Sequence, residues 1–358
     1  MIAAVALSVL LAASAPPTGL RNAKVATRSV APGGLAADVK ALVASPGPQW
    51  IGYSQPVIAG NHRMCCFGSL SDLNKRGKDR FCCGGCALER ESSFTINNDD
   101  DGPVQLEGSP GLVVLLRADR GRIGKVRSYD DSCGLDAGGL PFTWLRDVRP
   151  EESIALLGSL VRQMDDDRRE DAAGSALAAV ALTAHPSADA LLESFLARGQ
   201  PHDLRQKAAF WTGNSRGRRG FEILSRVVPN DADEDFRKEG TFALSQSPVS
   251  EAVDLLVRMA KSDADGEVRG QALFWLAQKA GDRAMKAIEN AIQEDPEEEV
   301  KKKAVFALSQ LPHDQAVPEL IRVARTNRNA EVRKQAIFWL GQTRDPRALA
   351  FIEEILDR

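Results

Sequence analysis

Residues 335–342 read QAIFWLGQ, and four earlier octamers of the chain are variations on these eight letters. They are KAAFWTGN at 207–214, EGTFALSQ at 239–246, QALFWLAQ at 271–278 and KAVFALSQ at 303–310. Their starting positions are evenly spaced, which defines a 32-residue period without an insertion. Self-similarity at a fixed period of this size is typical of stacked structural repeats. The sequence therefore predicts a repeat array.

Within one repeat the apolar residues follow a helical period. In the last copy Val332, Ala336 and Leu340 occupy every fourth position, which places them on one helix face. An acidic or Asn-containing turn, such as NDADED at 230–235, precedes the helix and supplies N-cap oxygens. A second amphipathic segment follows, as in SPVSEAVDLLVRMAK at 247–261. Each repeat is thus predicted to be two antiparallel helices that bury their apolar faces by stacking on neighbouring copies.

The predicted array extends before the first octamer. Residues 170–199 have the same helix–turn–helix layout without the octamer, so about six repeats are expected over 170–358. Pro150, followed by two acidic residues, is a helix start signal. It predicts an N-terminal cap helix over 150–165, and the whole solenoid is expected to occupy 150–358.

The segment EVRKQAIFWLGQTRDPRALAFIEEIL at 331–356 resembles the short HEAT-like repeats that also occur in phycobilisome lyases. The resemblance covers more than half of the chain. It implies an all-α solenoid of helix pairs, with first helices on a convex side and second helices on a concave side. It does not imply lyase chemistry, because proteins of unrelated activity share such repeats. The combination of export signal, Cys-rich domain and repeat array is also similar to that of secreted bacterial repeat proteins.

Every octamer carries a Phe away from the apolar helix face. At about 100° per residue, Phe338 lies roughly opposite Leu340 and near Lys334 and Gln342. Two interpretations stay open: the rings wedge between adjacent first helices, or they form a partly exposed apolar surface that docks a partner or the N-terminal domain. The interaction-surface candidates are Phe210, Phe242, Phe274, Phe306 and Phe338.

Three further positions recur with the Phe. The next residue alternates between Trp and Ala, from Trp211 to Trp339, which creates a 64-residue super-period that we attribute to interleaved core packing. The trailing amides, Asn214 and the later Gln residues, are expected to bond neighbouring helix termini. The basic row from Arg205 to Arg333 is expected to pair with the acidic turns of adjacent repeats.

The chain before residue 150 differs in composition. Residues 1–15 are apolar and end in Ala-Ser-Ala, which predicts a signal peptide and a periplasmic or secreted location. Residues 16–48 are rich in Ala, Pro and Gly and are predicted to be a disordered linker. Residues 49–148 are predicted to form a small Cys-rich, β-rich domain that includes a hairpin over 111–130.

All six cysteines fall in this domain. In an exported protein an even number of Cys predicts disulfide bonds, here with 15 possible pairings. His62 and the CCGGC at 82–86 leave two alternatives open, a zinc site or a redox-active Cys-x-x-Cys. The disulfide candidates are Cys65, Cys66, Cys82, Cys83, Cys86 and Cys133.

The sequence favours a binding protein over an enzyme. Its net charge of −3 offers no global attraction for nucleic acid, and no apolar run beyond the signal is long enough to span a membrane. We find no GxSxG, HExxH or P-loop motif, no catalytic residue and no cofactor site. The expected function is an exported scaffold for a protein or peptide partner. The alternative is a thiol–disulfide or metal-dependent activity of the Cys-rich domain, with the repeats binding the substrate.

Overall fold

The computed structural model describes residues 15–59, 86–89, 111–131, 133–163, 170–279 and 282–357. The chain divides into two compact units, Met1–Leu192 and Glu193–Arg358. The predicted signal peptide lies, apart from its last residue, outside the described residues. Among the described helices, none combines the length and the apolar character that a membrane crossing requires.

The first unit is built on a mixed five-stranded sheet with the order β2-β8-β3-β5-β6. A smaller parallel sheet has the order β1-β7-β4. In the larger sheet β2 and β3 both run parallel to β8, whereas β5 runs antiparallel to β3 and β6. The strands are β1 Leu20–Arg21, β2 Lys24–Ser29, β3 Gln49–Pro56, β4 Cys86–Ala87, β5 Gly111–Asp119, β6 Arg122–Asp130, β7 Leu135–Asp136 and β8 Pro141–Arg146.

The hairpin predicted over 111–130 is confirmed. Strands β5 and β6 pair with Asp119 opposite Arg122, so Arg120 and Gly121 form a two-residue loop. Both loop residues have positive φ, 50° and 74°. This is the conformation of the type I′ turn, whose twist matches that of the flanking strands.

The prediction of a disordered linker over 16–48 is wrong. This segment contains β1, β2 and a helix, α1 (Leu35–Val43), and β2 pairs along its whole length with β8. Leu35 and Val39 of α1 are buried. Asp38 accepts hydrogen bonds from the guanidinium of Arg28 and the backbone amide of Ala31. The order comes from pairing with a strand far along the chain, which local composition does not report.

In the described part of the chain, three further helices belong to the first unit, which is therefore a mixed α/β body. They are α2 (Pro150–Val161), α3 (Glu170–Leu182) and α4 (Pro186–Phe195), and α4 crosses the division between the units. Helices α2 and α3 pack on each other, and α3 packs against β6. The Ser153 hydroxyl of α2 donates to the buried Tyr53 hydroxyl of β3 at 3.0 Å, and burial raises the pKa of Tyr53. The chain thus divides at Leu192, not after residue 148 as the sequence predicts.

The second unit consists of five helix pairs. The first helices of successive pairs pack directly on one another. The pairs are α5 His202–Ser215 with α6 Gly217–Val227, α7 Glu234–Gln246 with α8 Glu251–Ser262, α9 Gly266–Lys279 with α10 Asp282–Glu294, α11 Glu298–Ser309 with α12 His313–Thr326, and α13 Ala330–Gln342 with α14 Pro346–Leu356. The predicted helix-pair array is confirmed here. The expected cap helix and first repeat correspond to helices counted mainly in the first unit.

The core of the array follows the predicted stripe. In α9 the residues Val268, Ala272 and Leu276 are fully buried, as are Val332, Ala336 and Leu340 in α13. The hydrophobic effect therefore holds the repeats together through the periodic positions, as stacked helix pairs require. The Phe positions lie outside this stripe.

Candidate protein-interaction surface

The five candidate phenylalanines all lie on first helices of the second unit. Phe210, Phe242, Phe274 and Phe306 are half-buried. Phe338, on the last first helix, is 52% exposed. Each ring is thus partly covered by a neighbouring helix and partly open to solvent. The docking role of these rings stays a prediction.

The rings touch one another from the first pair to the last. Phe210 stacks on Phe242 with centroids 5.6 Å apart, and Phe274 stacks on Phe306 at 5.9 Å. Tryptophan rings connect these stacked pairs. Each Trp contacts the Phe that precedes it in sequence. Trp275 and Trp339 also contact the Phe of the preceding first helix. The whole set, here called the aromatic ladder, is Trp211, Phe210, Phe242, Trp275, Phe274, Phe306, Trp339 and Phe338.

The 64-residue alternation of Trp and Ala has its explanation in this ladder. Trp275 reaches Phe242 at 4.6 Å, and Trp339 reaches Phe306 at 4.9 Å. Ala243 and Ala307 stand at the alternate positions and are buried. Ala243, Ala307 and Trp211 are buried, as the prediction of interleaved core packing requires. Trp275 and Trp339 are instead half-buried and belong to the aromatic ladder. These two residues are not among the interaction-surface candidates predicted from the sequence, although the sequence shows their 64-residue super-period.

Three members of the basic row pair with the acidic turns of the following repeats, as predicted, whereas Lys301 and Arg333 donate to backbone carbonyls. Arg237 contacts Asp263, and Arg269 forms a two-pronged contact with Asp295 at 2.8 and 3.0 Å. Arg205 pairs with Asp231 at the same sequence separation. The Asp295 carboxylate raises the pKa of Arg269 by hydrogen bonding, so this guanidinium stays charged. These pairs fix the stacking of one helix pair on the next.

The fourth repeat has no such ion pair, because an uncharged amide replaces the carboxylate and a lysine replaces the arginine. Asn327 replaces the Asp of the preceding repeats and is buried. Its side-chain oxygen accepts a hydrogen bond from the backbone amide of Asn329. Lys301 stands where they have Arg and donates to the Gln293 carbonyl. The fold therefore accepts an amide at this turn, provided that the backbone amide two positions further on is still bonded.

The trailing amides do not bridge neighbouring helix termini where their bonds are seen. Gln246 donates to the hydroxyl of Ser245, and Gln310 donates to that of Ser309, both at 3.1 Å. Each amide thus bonds the residue before it on its own helix. The expectation of a bridging amide ladder is wrong for these two residues, because the adjacent Ser is the nearer acceptor.

The second helices carry charges of both signs, several of which are paired. Arg322 contacts Glu319 on its own helix and Glu289 on the second helix of the preceding pair. Arg325 similarly contacts Glu354 of the following pair. These contacts are exposed and contribute little to stability. They leave this face without a concentrated charge of one sign.

Most of the cysteine candidates lie outside the described residues. This holds for Cys65, Cys66, Cys82 and Cys83, for the side chain of Cys86, and for His62. Cys133 is fully buried and disulfide-bonded, and it belongs to a core cluster with Trp50 and Trp144. Within the described part of the chain, no group of three or more His, Cys, Asp or Glu residues is arranged to hold a metal ion.

Comparisons with known proteins concern the repeat array. Residues 285–358 match the sequence profile of HEAT repeats. A comparison with curated proteins found no significant match.

Several solved structures are similar to this chain. Human deoxyhypusine hydroxylase in complex with glycerol is 16% identical, over 57% of this chain and 90% of that chain, with a TM-score of 0.28. The CpcE–CpcF complex of phycocyanin lyase from Nostoc is 20% identical, over 55% and 77%, with a TM-score of 0.31. Kap95p, in a structure with RanGDP, is 15% identical, over 59% and 32%, with a TM-score of 0.38. Residues 285–358 thus carry HEAT repeats, and the helix pairs before them continue the same 32-residue period.

Proposed function

We propose that this protein is a non-enzymatic scaffold that binds a protein or peptide partner along the aromatic ladder, outside the cytoplasm. One observation carries the proposal: eight aromatic rings form an unbroken, partly exposed row across five helix pairs. Contiguous exposed apolar surface is uncommon on monomeric proteins and marks interaction sites. Aromatic residues supply a large share of the binding energy in protein interfaces.

The charge distribution supports a protein partner over a polyanion. The net charge is −3, and Arg205, Arg237 and Arg269 are engaged with buried or nearly buried carboxylates. A nucleic-acid interface needs a concentration of unpaired basic side chains along one face. These three arginines of the basic row are therefore not available for phosphate contacts.

Two observations support export. Residues 1–15 have the pattern of a signal peptide, and Cys133 forms a disulfide bond, a bond that persists in oxidising compartments. The buried position of Cys133 also disfavours a redox-active role for this residue, because reactive thiols are accessible. The pairing of the other five cysteines stays a prediction.

The test places a photo-crosslinking amino acid at position 338 of the full chain, expressed with its N-terminal segment. We expect a partner protein to be crosslinked from this position in the envelope or secreted fraction. The same probe at Val25, which is 46% exposed in the first unit, is the matched control and should not capture it. The triple variant Phe242→Ser, Phe274→Ser, Phe306→Ser, once circular dichroism shows it folded, should lose the crosslink. Capture of the same proteins from both positions would refute the proposal.

A further inference from the structure

A cleft of about 170 Å³ opens beside the aromatic ladder between α11, α12 and α13. Its lining includes Ser309, Gln310, Leu320, Trp339 and Gln342. Gln310 and Gln342 are exposed, Trp339 is half-buried, and Leu320 is buried. The cleft thus combines an apolar floor, an aromatic wall and two solvent-facing amides.

The indole N–H of Trp339 is buried and has no hydrogen-bond partner among the described residues. Native structures satisfy nearly all buried donors, since an unmet one costs free energy. An unmet donor beside an open cleft is therefore an observation that needs a reason. A ligand that places a hydrogen-bond acceptor in the cleft would give the indole N–H its missing partner.

The same set of residues occurs a second time, one super-period earlier in the chain. Trp275 stands in place of Trp339, and its indole N–H is also buried without a partner among the described residues. The lining residues that are identical at this spacing include Ser245, Gln246, Ala252, Leu256, Trp275 and Gln278.

The local hydrogen bonds repeat as well. Ser245 donates to the Phe242 carbonyl and Ser309 to the Phe306 carbonyl, both at 2.7 Å. The Gln–Ser bonds described above have equal lengths in the two copies. The super-period therefore repeats seven of the nine lining residues, whereas His313 and Thr343 are replaced by Val249 and Lys279. The first helix between the two copies, α11, carries Ala307 at the Trp position.

The groups that the two sites share favour a ligand rich in hydrogen-bond acceptors. Each site offers an indole N–H and glutamine amides, and no acidic side chain lines the cleft. Thr343 lines the first site, and the equivalent residue of the second site is Lys279. The Lys279 side chain donates to the Ser247 carbonyl at 3.4 Å. Between the sites lie the half-exposed rings of Phe274 and Phe306. A peptide offers main-chain carbonyls for the donors of the two sites and apolar side chains for the rings between them.

The spacing of the sites suits an extended chain. Packed helices lie about 8–10 Å apart, so two helix pairs separate equivalent positions by roughly 16–20 Å. An extended peptide rises about 3.3 Å per residue and covers this distance with about five or six residues. One short segment can therefore reach both indoles.

We propose that Trp275 and Trp339 anchor two equivalent subsites that bind an extended apolar peptide segment through its main-chain carbonyl oxygens. This inference rests on the proposed scaffold function and names the class of its partner. Gln310 and Gln342 are exposed, and in this proposal their side chains rotate to admit the peptide to the indole. The rings of Phe274 and Phe306 then contact the apolar side chains of the segment.

The test selects binders from a display library of random nonapeptides on the full chain and measures the synthesised peptides by calorimetry. We expect apolar-rich peptides whose addition shifts the indole N–H resonances of Trp275 and Trp339. The double variant Trp275→Phe, Trp339→Phe keeps an aromatic ring and loses both donors, and should bind about tenfold more weakly. Val25→Ala, at an exposed position of the first unit outside the ladder, is the control and should bind as the native chain does.

A second variant guards against a folding defect. Gln278→Ala with Gln342→Ala changes only exposed side chains and should also weaken binding. Equal binding by the native chain and both double variants, with unmoved indole resonances, would overturn the subsites. If the photo-crosslink at position 338 still captures a partner, the scaffold function survives that result. If no peptide is selected, the subsites are refuted, and loss of the crosslink as well would refute the scaffold.

Discussion

Tryptophan residues in this chain differ in whether the indole N–H is bonded, although all are at least half-buried. Trp50 is fully buried and donates to the Glu89 carboxylate at 2.8 Å, beside a two-pronged contact from Arg117 to the same carboxylate. The N–H groups of Trp275 and Trp339 have no such acceptor among the described residues. The same substitution should therefore have different effects at these positions.

Trp339→Phe should change the free energy of unfolding by less than about 1 kcal/mol, because removing an unmet buried donor offsets the lost apolar contact. Trp50→Phe should lower it by about 1–3 kcal/mol, because a hydrogen bond to a carboxylate is lost in a closely packed core. Urea denaturation followed by circular dichroism measures both. A larger loss for Trp339→Phe than for Trp50→Phe would contradict the assignment of an unmet donor.

Glu89 predicts an acid sensitivity of the first unit. Hydrogen bonding from Arg117 holds the pKa of Glu89 below its ordinary value of 4.5. The folded-state pKa is thus lower than the unfolded one, so the contribution is present above about pH 4.5 and is lost as the pH falls through the folded-state value. The melting temperature of Glu89→Gln should fall less between pH 6 and pH 3 than that of the native chain. Parallel curves for the two chains would show that Glu89 does not contribute.

At the scale of the elements, the paired Arg and Asp side chains join one helix pair to the next. Arg269 and Asp295 are both nearly buried, so removal of one partner leaves a charge without compensation. The exposed pair of Arg218 and Glu251 has the same chemistry without the burial. Burial, not the presence of a salt bridge, should decide the energetic effect.

Arg269→Ala should lower the free energy of unfolding by about 3–5 kcal/mol, as expected when one partner of a buried ion pair is removed. Arg218→Ala is the matched control and should have a much smaller effect, because an exposed ion pair is screened by solvent. The double variant Arg269→Lys, Asp295→Asn reproduces the Lys and Asn of the fourth repeat and should recover part of the loss. Equal effects of the two single variants in denaturant titrations would contradict this account.

At the scale of the whole molecule, the last helix pair exposes positions that the pair before it buries. Leu349 and Leu356 are 59% and 78% exposed, whereas their counterparts in the preceding repeat, Val317 and Ala324, are 1% and 8% exposed. Among the described residues, no further helix pair packs over α14 to cover them. Apolar residues at these positions should therefore add little to the stability of the chain itself.

Leu356→Ala should change the free energy of unfolding by less than about 0.5 kcal/mol, because the side chain is already in water. Leu320→Ala, at a fully packed position of the preceding pair, should lower it by about 2–5 kcal/mol through loss of contacts and a new cavity. Thermal and urea denaturation measure both. A cost at Leu356 equal to that at Leu320 would mean that this end of the array is covered in solution.

The sequence by itself determined the helix pairs, their regular stacking period and the buried stripe of residues such as Val268, Ala272 and Leu276. Those features depend on contacts between residues close in sequence and on a pattern repeated five times, so a single sequence is enough to predict them. The hairpin of β5 and β6 was predictable for the same reason, since its two strands are joined by a two-residue turn.

Only the tertiary structure decided three other features. It ordered β2 by pairing it with β8, placed α3 on β6, and arranged Phe and Trp rings from different repeats into one ladder. Each depends on groups that are far apart in sequence and carry no local period that specifies their partner. Trp275 and Trp339 were visible as a super-period, but their role follows from the Phe of the preceding repeat and from an indole N–H that finds no acceptor among the described residues. Such facts are properties of the packed chain, because the environment of a side chain is set by the neighbours that folding brings to it.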